Sequence, residues 1–367
     1  MKILFFSAHF WPYIGGGQIM GAQLVKGLQR KGHEVTVVTA HDTLALPDEE
    51  KFFEVPIYRF RFWHAVRDRN AKLIFQLRQD LYDLKKSLAP DLVHMSSVSP
   101  IDLFHWHTVR AAPVPTLLTI QGSIPTWGSG TESIAIQTLN SADWICACST
   151  ATLDEAIRLS PTIQSRISII HNGKEPTDIA PAPLPSDPPH IMCIGRLEEE
   201  KGFDLAITAF ARVLKIFPNS RLTLIGDGSK RKELATQTEK LGISEQVFFR
   251  GWVAPEQIPD LMNRATIVLV PSRREAFGLV ALEAALLARP VIASAVGGLP
   301  EVIVNRESGI LVPIENSQTL AQAVIDLLQQ PETMIRLGKF ARQHAIDHFS
   351  FDRYLENHVI LYKKLIK

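Results

Sequence analysis

An α/β protein with two parallel-sheet domains is the fold class this chain predicts, on three observations. Strand-sized apolar segments alternate with helix-sized amphipathic ones from end to end, the pattern of parallel strands covered on both faces by helices. A proline-dense stretch (Pro176, Pro181, Pro183, Pro185, Pro188 and Pro189) interrupts the alternation, which then restarts. Prolines remove backbone donors and block regular structure, so this stretch reads as a linker. At 367 residues the chain is also long for one core and suggests about two domains.

The elements follow in order. Residues 3–8, 34–39, 92–95, 116–120, 144–147 and 168–170 read as strands of a first sheet. Between the first two, residues 18–31 carry Leu24, Val25 and Leu28 at helical spacing. Residues 190–195, 221–226, 247–250, 267–270 and 290–293 read as strands of a second sheet, and from residue 318 onward only helices are expected. The last of these, over 354–366, is amphipathic. A first Rossmann-like domain is expected over 1–180 and a second over 190–349, facing across a cleft, with ligands at the C-terminal ends of strands.

Composition excludes several classes. Hydrophobic content of 46% and charged content of 21% are globular values. A formal net charge of +1 provides no domain-wide basic face, so no nucleic-acid partner is expected. Cys146, Cys148 and Cys193 lack a second Cys or His pair to complete a metal site, and read as buried thiols in a reducing cytoplasm. The apolar start, Met1 to Phe6, meets Ser7, His9 and Pro12 too soon for a signal peptide and reads as the first strand. No apolar window is long enough to cross a membrane, so any membrane contact is expected to be peripheral. Residues 58–88 are its candidate: Arg59, Arg61, Arg67, Arg69, Lys72, Arg78, Lys85 and Lys86 stand among Phe60, Phe62 and Trp63. They could meet an anionic membrane bearing a lipid-linked acceptor, or form a solvated helix face over core aromatics.

The segment that carries chemistry runs from Ser272 to Glu283. A strand-like stretch, 265–270, precedes it and a helical one follows; strand, polar loop, glycine, helix is how an open sheet presents helix N-terminal amides to a phosphate. Glu275 and Glu283 are eight positions apart, roughly 12 Å of helical rise. A retaining glycosidase pair stands about 5–5.5 Å apart. The wider spacing suits two carboxylates gripping opposite ends of one extended ligand, such as a sugar, a diphosphate and a ribose; two solvated helix glutamates are the plain alternative. Arg196 and Lys201 flank the start of a helix expected over 203–217, where cations oppose the dipole, and a diphosphate would account for them. Pairing of Lys201 with Glu198, Glu199 and Glu200 would also do so. The chain has no Asp-x-Asp, so side-chain cations are expected to replace a metal clamp, with no metal or other cofactor.

Gly15, Gly16 and Gly17 follow the first strand, where a backbone without side chains lets a ligand approach closely. A dinucleotide loop with Asp42 on the ribose is the rival, but residues 9–14 make the turn longer than that fingerprint. Tyr82 and Lys86 form a Tyr-x3-Lys pair inside a leucine-lined structural helix, and His105 and His107 have no matching carboxylates nearby.

Ser272 to Glu283 resembles the E-x7-E signature of the retaining, GT-B-type glycosyltransferases of family four. The likeness covers nearly the whole chain. Gly195-Arg196-Leu197 with Lys201-Gly202, Leu224 to Gly228, Phe249 to Val253, Ala295 to Glu301, Val312-Pro313 and Phe349-Ser350-Phe351 fall in the family's order, as do Gly15 to Gly17 and His171-Asn172-Gly173. Gln121 departs from it, standing where many members carry a histidine; it can hydrogen-bond a sugar hydroxyl but cannot titrate near neutrality.

The resemblance implies a GT-B fold, with residues 350–367 crossing back to the first domain, and transfer of a hexose with retention through front-face attack. The donor would be a nucleoside-diphosphate sugar, by family frequency UDP-glucose or UDP-N-acetylglucosamine, and the acceptor a glycan or lipid-linked molecule in polysaccharide or glycoconjugate synthesis. Glu275 would hold sugar hydroxyls, Glu283 the ribose, and Val253 would lie near the base. Arg196, Lys201 and the amides of Phe277, Gly278 and Leu279 would face the diphosphate. Gly195, Gly226, Ala276 and Val280 would line the donor, and Gly16, Gly17 and Gln121 belong to the first domain's share of the site. A sugar-nucleotide 2-epimerase of similar fold and a catalytically silent subunit are the alternatives.

Overall fold

Short apolar runs, buried over most of their length, form the central strands, as parallel sheets covered on both faces require. The computed structural model describes residues 1–96, 98–125, 133–185 and 187–367. The first sheet contains β1 (Lys2–Ser7), β2 (Glu34–Ala40), β3 (Glu49–Phe52), β4 (Val55–Phe60), β5 (Leu92–Met95), β6 (Thr116–Ile120), β7 (Trp144–Ala147) and β8 (Ile167–Ile169). Its order is β3-β4-β2-β1-β5-β6-β7-β8, parallel except for the β3–β4 pair. The second contains β9 (His190–Ile194), β10 (Arg221–Ile225), β11 (Val247–Gly251), β12 (Ile267–Val270), β13 (Val291–Ser294) and β14 (Ile310–Val312), in the order β11-β10-β9-β12-β13-β14. The chain divides into one unit of Met1–Asn172 with Tyr354–Lys367 and another of Gly173–Arg353.

Three strands lie outside those expected. In β4 the alternation Val55, Ile57, Arg59 faces inward, so an arginine occupies a buried position and breaks the apolar pattern. Arg59 is satisfied there by Glu50 of β3 and by the carbonyls of Pro47 and Trp11, at 3.2 and 2.9 Å. β14 is only three residues long, below what period alone can reveal. The helix expected over 203–217 ends earlier, at Phe203–Val213, and tightens into turns before Pro218.

The basic segment 58–88 is not one cationic face. Arg59 is 4% exposed and Lys85 fully buried. Lys85 Nζ donates to Thr108 Oγ1 at 2.9 Å and to the His105 carbonyl at 3.2 Å, and lies 2.9 Å from His105 Nδ1. Burial lowers the Lys85 pKa to about 7. Phe62 is core. Among the described residues no helix is long and apolar enough to cross a membrane. The three cysteines are buried, and burial pushes the Cys146 and Cys193 thiols up.

The proline-dense stretch is irregular but held to the second unit by side chains that meet its backbone. Asn263 Oδ1 accepts from Ala182 N at 2.9 Å, and Thr266 Oγ1 donates to the Pro185 carbonyl at 2.8 Å. The buried Arg289 reaches the Ala182 carbonyl and donates to those of Asn263 and Ala265, each at 3.2 Å. The last helix, Phe351–Ile366, belongs to the first unit from Tyr354 onward and buries Tyr354, His358 and Tyr362. His94 of β5 joins that helix to the sheet, with Nδ1 2.6 Å from Tyr362 Oη and Nε2 2.7 Å from Thr119 Oγ1.

Candidate active site

In the second sheet, strand order reverses between β9 and β12: β10 and β11 lie on one side, β13 and β14 on the other. Loops leaving the C-terminal ends of two such strands turn opposite ways and open a crevice, the usual ligand position in an open parallel sheet. The loop after β9 carries Gly195, Arg196 and Lys201; the loop after β12 carries Glu275 to Gly278. They meet there. Lys201 Nζ donates to Glu275 Oε2 at 2.8 Å, with the two side chains 22% and 16% exposed, and Ser272 Oγ lies 3.4 Å from the same oxygen.

Glycines make these loops fit. Gly226, after β10, has φ +129°, and a Cβ there would lie 1.9 Å from the Gly195 carbonyl oxygen. Gly297, after β13, has φ +57°, and its Cβ would fall 1.7 Å from the Glu275 carbonyl oxygen, which accepts from Gly298 N at 3.1 Å. No side chain fits either place. Gly278 caps the helix Leu279–Leu286 and Phe277 is buried beside Phe349, while Ala276, Leu279 and Val280 are half-buried around them. Glu275 precedes the helix and Glu283 lies within it, as expected.

The two cations take different carboxylates. Lys201 takes Glu275, a site carboxylate, instead of the adjacent run of glutamates. Arg196, largely exposed, pairs with Glu200 of that run. Glu283 pairs with Lys174, which follows His171-Asn172-Gly173 directly and was not among the expected site residues. Val253 is half-buried in the loop after β11.

Arg273, beside Glu275 in the motif, is the other residue that sequence reasoning missed. Its guanidinium forks onto Asp204 with two 2.7 Å hydrogen bonds and also meets Glu315. Burial pushes the Asp204 carboxyl up, but the hydrogen bonds and charge of Arg273 outweigh it and hold the group below its ordinary value. The bonds to Asp204 hold the Arg273 guanidinium above its own.

In the first unit, Gly17 stands next to Gln121: a Cβ on the glycine would lie 3.3 Å from the Gln121 Cβ. Among the described residues the Gln121 Oε1 is buried without a hydrogen-bond partner, as is the Asn172 Oδ1. Buried polar atoms left this way are costly and point to a ligand or solvent partner. Gly16 opens the helix Gly16–Arg30 and is exposed. Asp42, the ribose contact of a dinucleotide reading, is taken up by His9 at 3.1 Å and Arg67 at 3.3 Å. Among the described residues no three His, Cys, Asp or Glu side chains gather as a metal site.

Comparison with known proteins decides the family. The model "Glycosyl transferases group 1" matches residues 174–344, and that of "Glycosyltransferase Family 4" matches residues 14–177. The glycogen synthase of Mycobacterium tuberculosis is 30% identical over 96% of this chain and 92% of its own length. The chain is a family-four glycosyltransferase. Solved structures carry the same GT-B fold. The sucrose-phosphate synthase of Thermosynechococcus elongatus superposes with a TM-score of 0.85 at 22% identity, covering 99% of this glycosyltransferase and 98% of that chain. Anabaena HepE in complex with UDP-glucose has a TM-score of 0.77 at 21% identity, covering all of both chains.

Proposed function

We propose that this glycosyltransferase moves a hexose from UDP-glucose or UDP-N-acetylglucosamine to a glycan or lipid-linked acceptor, with retention and without a metal. The observation that carries the reading is the Lys201–Glu275 pair at the strand-order reversal, beside the N-terminus of the helix Leu279–Leu286. An ammonium and a carboxylate held together in this way can separate onto the two parts of one donor. Lys201 turns to the diphosphate, Glu275 to sugar hydroxyls. The UDP complexes of HepE support a uridine donor.

On this reading Glu283 accepts from the ribose hydroxyls in place of Lys174, and Val253 lies near the base. Gly195, Gly226, Ala276 and Val280 allow close approach. As the bond from the sugar anomeric carbon to the phosphate oxygen breaks, charge builds on the departing diphosphate. Arg196, Lys201 and the amides of Phe277, Gly278 and Leu279 meet it; losing one such preorganised donor typically costs about 2.7–4 kcal/mol of barrier. The acceptor oxygen attacks the face the phosphate leaves, and the phosphate takes its proton. Gln121 accepts from a sugar hydroxyl through its buried Oε1, and Gly16 and Gly17 complete the first unit's share of the site.

The test is thermal. UDP at a hundred times its Kd should stabilise the protein by about 2.7 kcal/mol. The melting temperature should therefore rise by several degrees with a chelator present. A rise that needs magnesium or manganese would defeat the metal-free reading, and no rise under either condition would defeat the uridine donor.

A further inference from the structure

Every N–H of the Arg273 guanidinium has an acceptor. Nη1 and Nη2 donate to the two Asp204 oxygens at 2.7 Å each, and Nη1 also to the Glu199 carbonyl at 2.8 Å. Nε and Nη2 donate to the two Glu315 oxygens, the second at 3.2 Å. The backbone N–H of Arg273 adds a 2.7 Å bond to the Glu200 carbonyl. One side chain thus ties together the segment 199–204, the segment 273–275 and the turn after β14. The first two carry Lys201 and Glu275, which stand 2.8 Å apart.

Building on the donor reading above, we propose that Arg273 is a positioning residue, setting the separation of Lys201 and Glu275 without touching the donor itself. The chemistry suits the residue type. A planar fork with five donors in fixed directions can satisfy a bidentate carboxylate, a second carboxylate and a carbonyl at once; a lysine presents one point charge on a flexible stem and cannot. Asp204 is the other half of the clamp. It lies in the first turn of the helix Phe203–Val213, three residues after Lys201, so its position and that of Lys201 move together. Neither Arg273 nor Asp204 needs to meet the nucleotide for this role, so their loss should register in turnover and leave nucleotide affinity unchanged.

The experiment uses the full chain and the variants R273K, D204N and R273K/D204N. It reads UDP affinity by calorimetry and the rate of UDP release from UDP-glucose and UDP-N-acetylglucosamine, with water as acceptor. A misplacement of about 1 Å at a reacting centre can cost about 100-fold in rate. R273K should lower kcat for UDP release by about 10- to 100-fold while UDP affinity stays within about twofold. D204N should do the same, and the double variant should fall little further, because both substitutions break one clamp. A wild-type release rate in R273K overturns the proposal. So do matched losses of rate and UDP affinity, which mean general loosening of the site, and fully additive losses in the double variant. The donor reading fails separately: a wild-type chain that binds no UDP, or binds it and releases none from either sugar nucleotide, leaves Arg273 nothing to position, and the role falls with it.

Discussion

Glu275 and Glu283 carry the same group but stand in different company. Glu275 is held by Lys201, and its own carbonyl is clasped by Gly298; Glu283 projects from within a helix and meets Lys174, in the segment that opens the second unit. The proposed roles follow: a sugar contact near the breaking bond, and a ribose contact present in any nucleotide complex. Glu283→Ala should therefore weaken UDP by about 10- to 100-fold, the scale of one charge-assisted hydrogen bond of about 1.5–3 kcal/mol. Glu275→Ala should leave UDP affinity nearly unchanged and lower UDP-sugar turnover. Calorimetry with UDP on both variants separates the two, and equal losses would contradict the placement. The spacing of the two glutamates was legible from the sequence. Their cationic partners were not, because Lys174 is 109 positions from Glu283 and Lys201 is 74 from Glu275.

At the scale of elements, the loop after β12 is shaped from outside by the loop after β13. Gly297 and Gly298 lie against the backbone of residues 275–277, so the site loop has a second wall made of glycine. Gly297→Ala combines a positive φ with a collision against the Glu275 carbonyl. Gly242→Ala, in the same unit, has a similar φ of +68° with nothing within 4 Å of the added carbon. The first should cost clearly more than the second, whose strain alone is of order 1–3 kcal/mol. Denaturant midpoints measure this, and UDP-sugar turnover should fall only in the Gly297 variant. Equal destabilisation of the two would mean that the site loop yields to the new carbon. Strands that read as short apolar runs, such as β5, β6, β7 and β12, coincide with those read from the sequence to the residue. β3, β4 and β14 do not, because β3 and β4 carry the Glu50–Arg59 pair in place of an apolar run and β14 is three residues long.

The stability of the molecule should depend on three buried histidines in the first unit. Burial holds His94 and His105 well below the ordinary histidine value and lowers His358 to about 4, and the His94 and His358 rings stack 5.6 Å apart. A folded-state pKa below the unfolded one means that, as pH falls through about 6.5, the unfolded chain gains protons that the fold refuses. Their contribution is then lost progressively down to about pH 4, where His358 protonates in place. Burial raises Asp102 to about 8, which acts in the opposite direction over the same window. His358→Phe isolates one term, since Asp102 titrates alike in both proteins. Between pH 7 and pH 5 the variant should lose less stability in denaturant melts than the wild-type chain. An equal loss would show that His358 carries no share of the acid sensitivity.

The sequence by itself determined the fold class, the sequence neighbourhood of the site and the family, because periodicity, proline density and the Ser272–Glu283 motif are local patterns written in consecutive residues. It also pointed to loops leaving the C-terminal ends of strands as the candidate site. The tertiary structure decided which charges meet: Lys201 with Glu275, Lys174 with Glu283, Arg273 with Asp204 and Glu315. It decided, too, that Arg59 and Lys85 leave the solvated basic face for the interior. The physical reason is range. A helix or strand declares itself through neighbours a few positions away, whereas a charge pair needs only a few ångströms of space. Which loops come within that distance depends on the strand order of the sheet and not on separation along the chain.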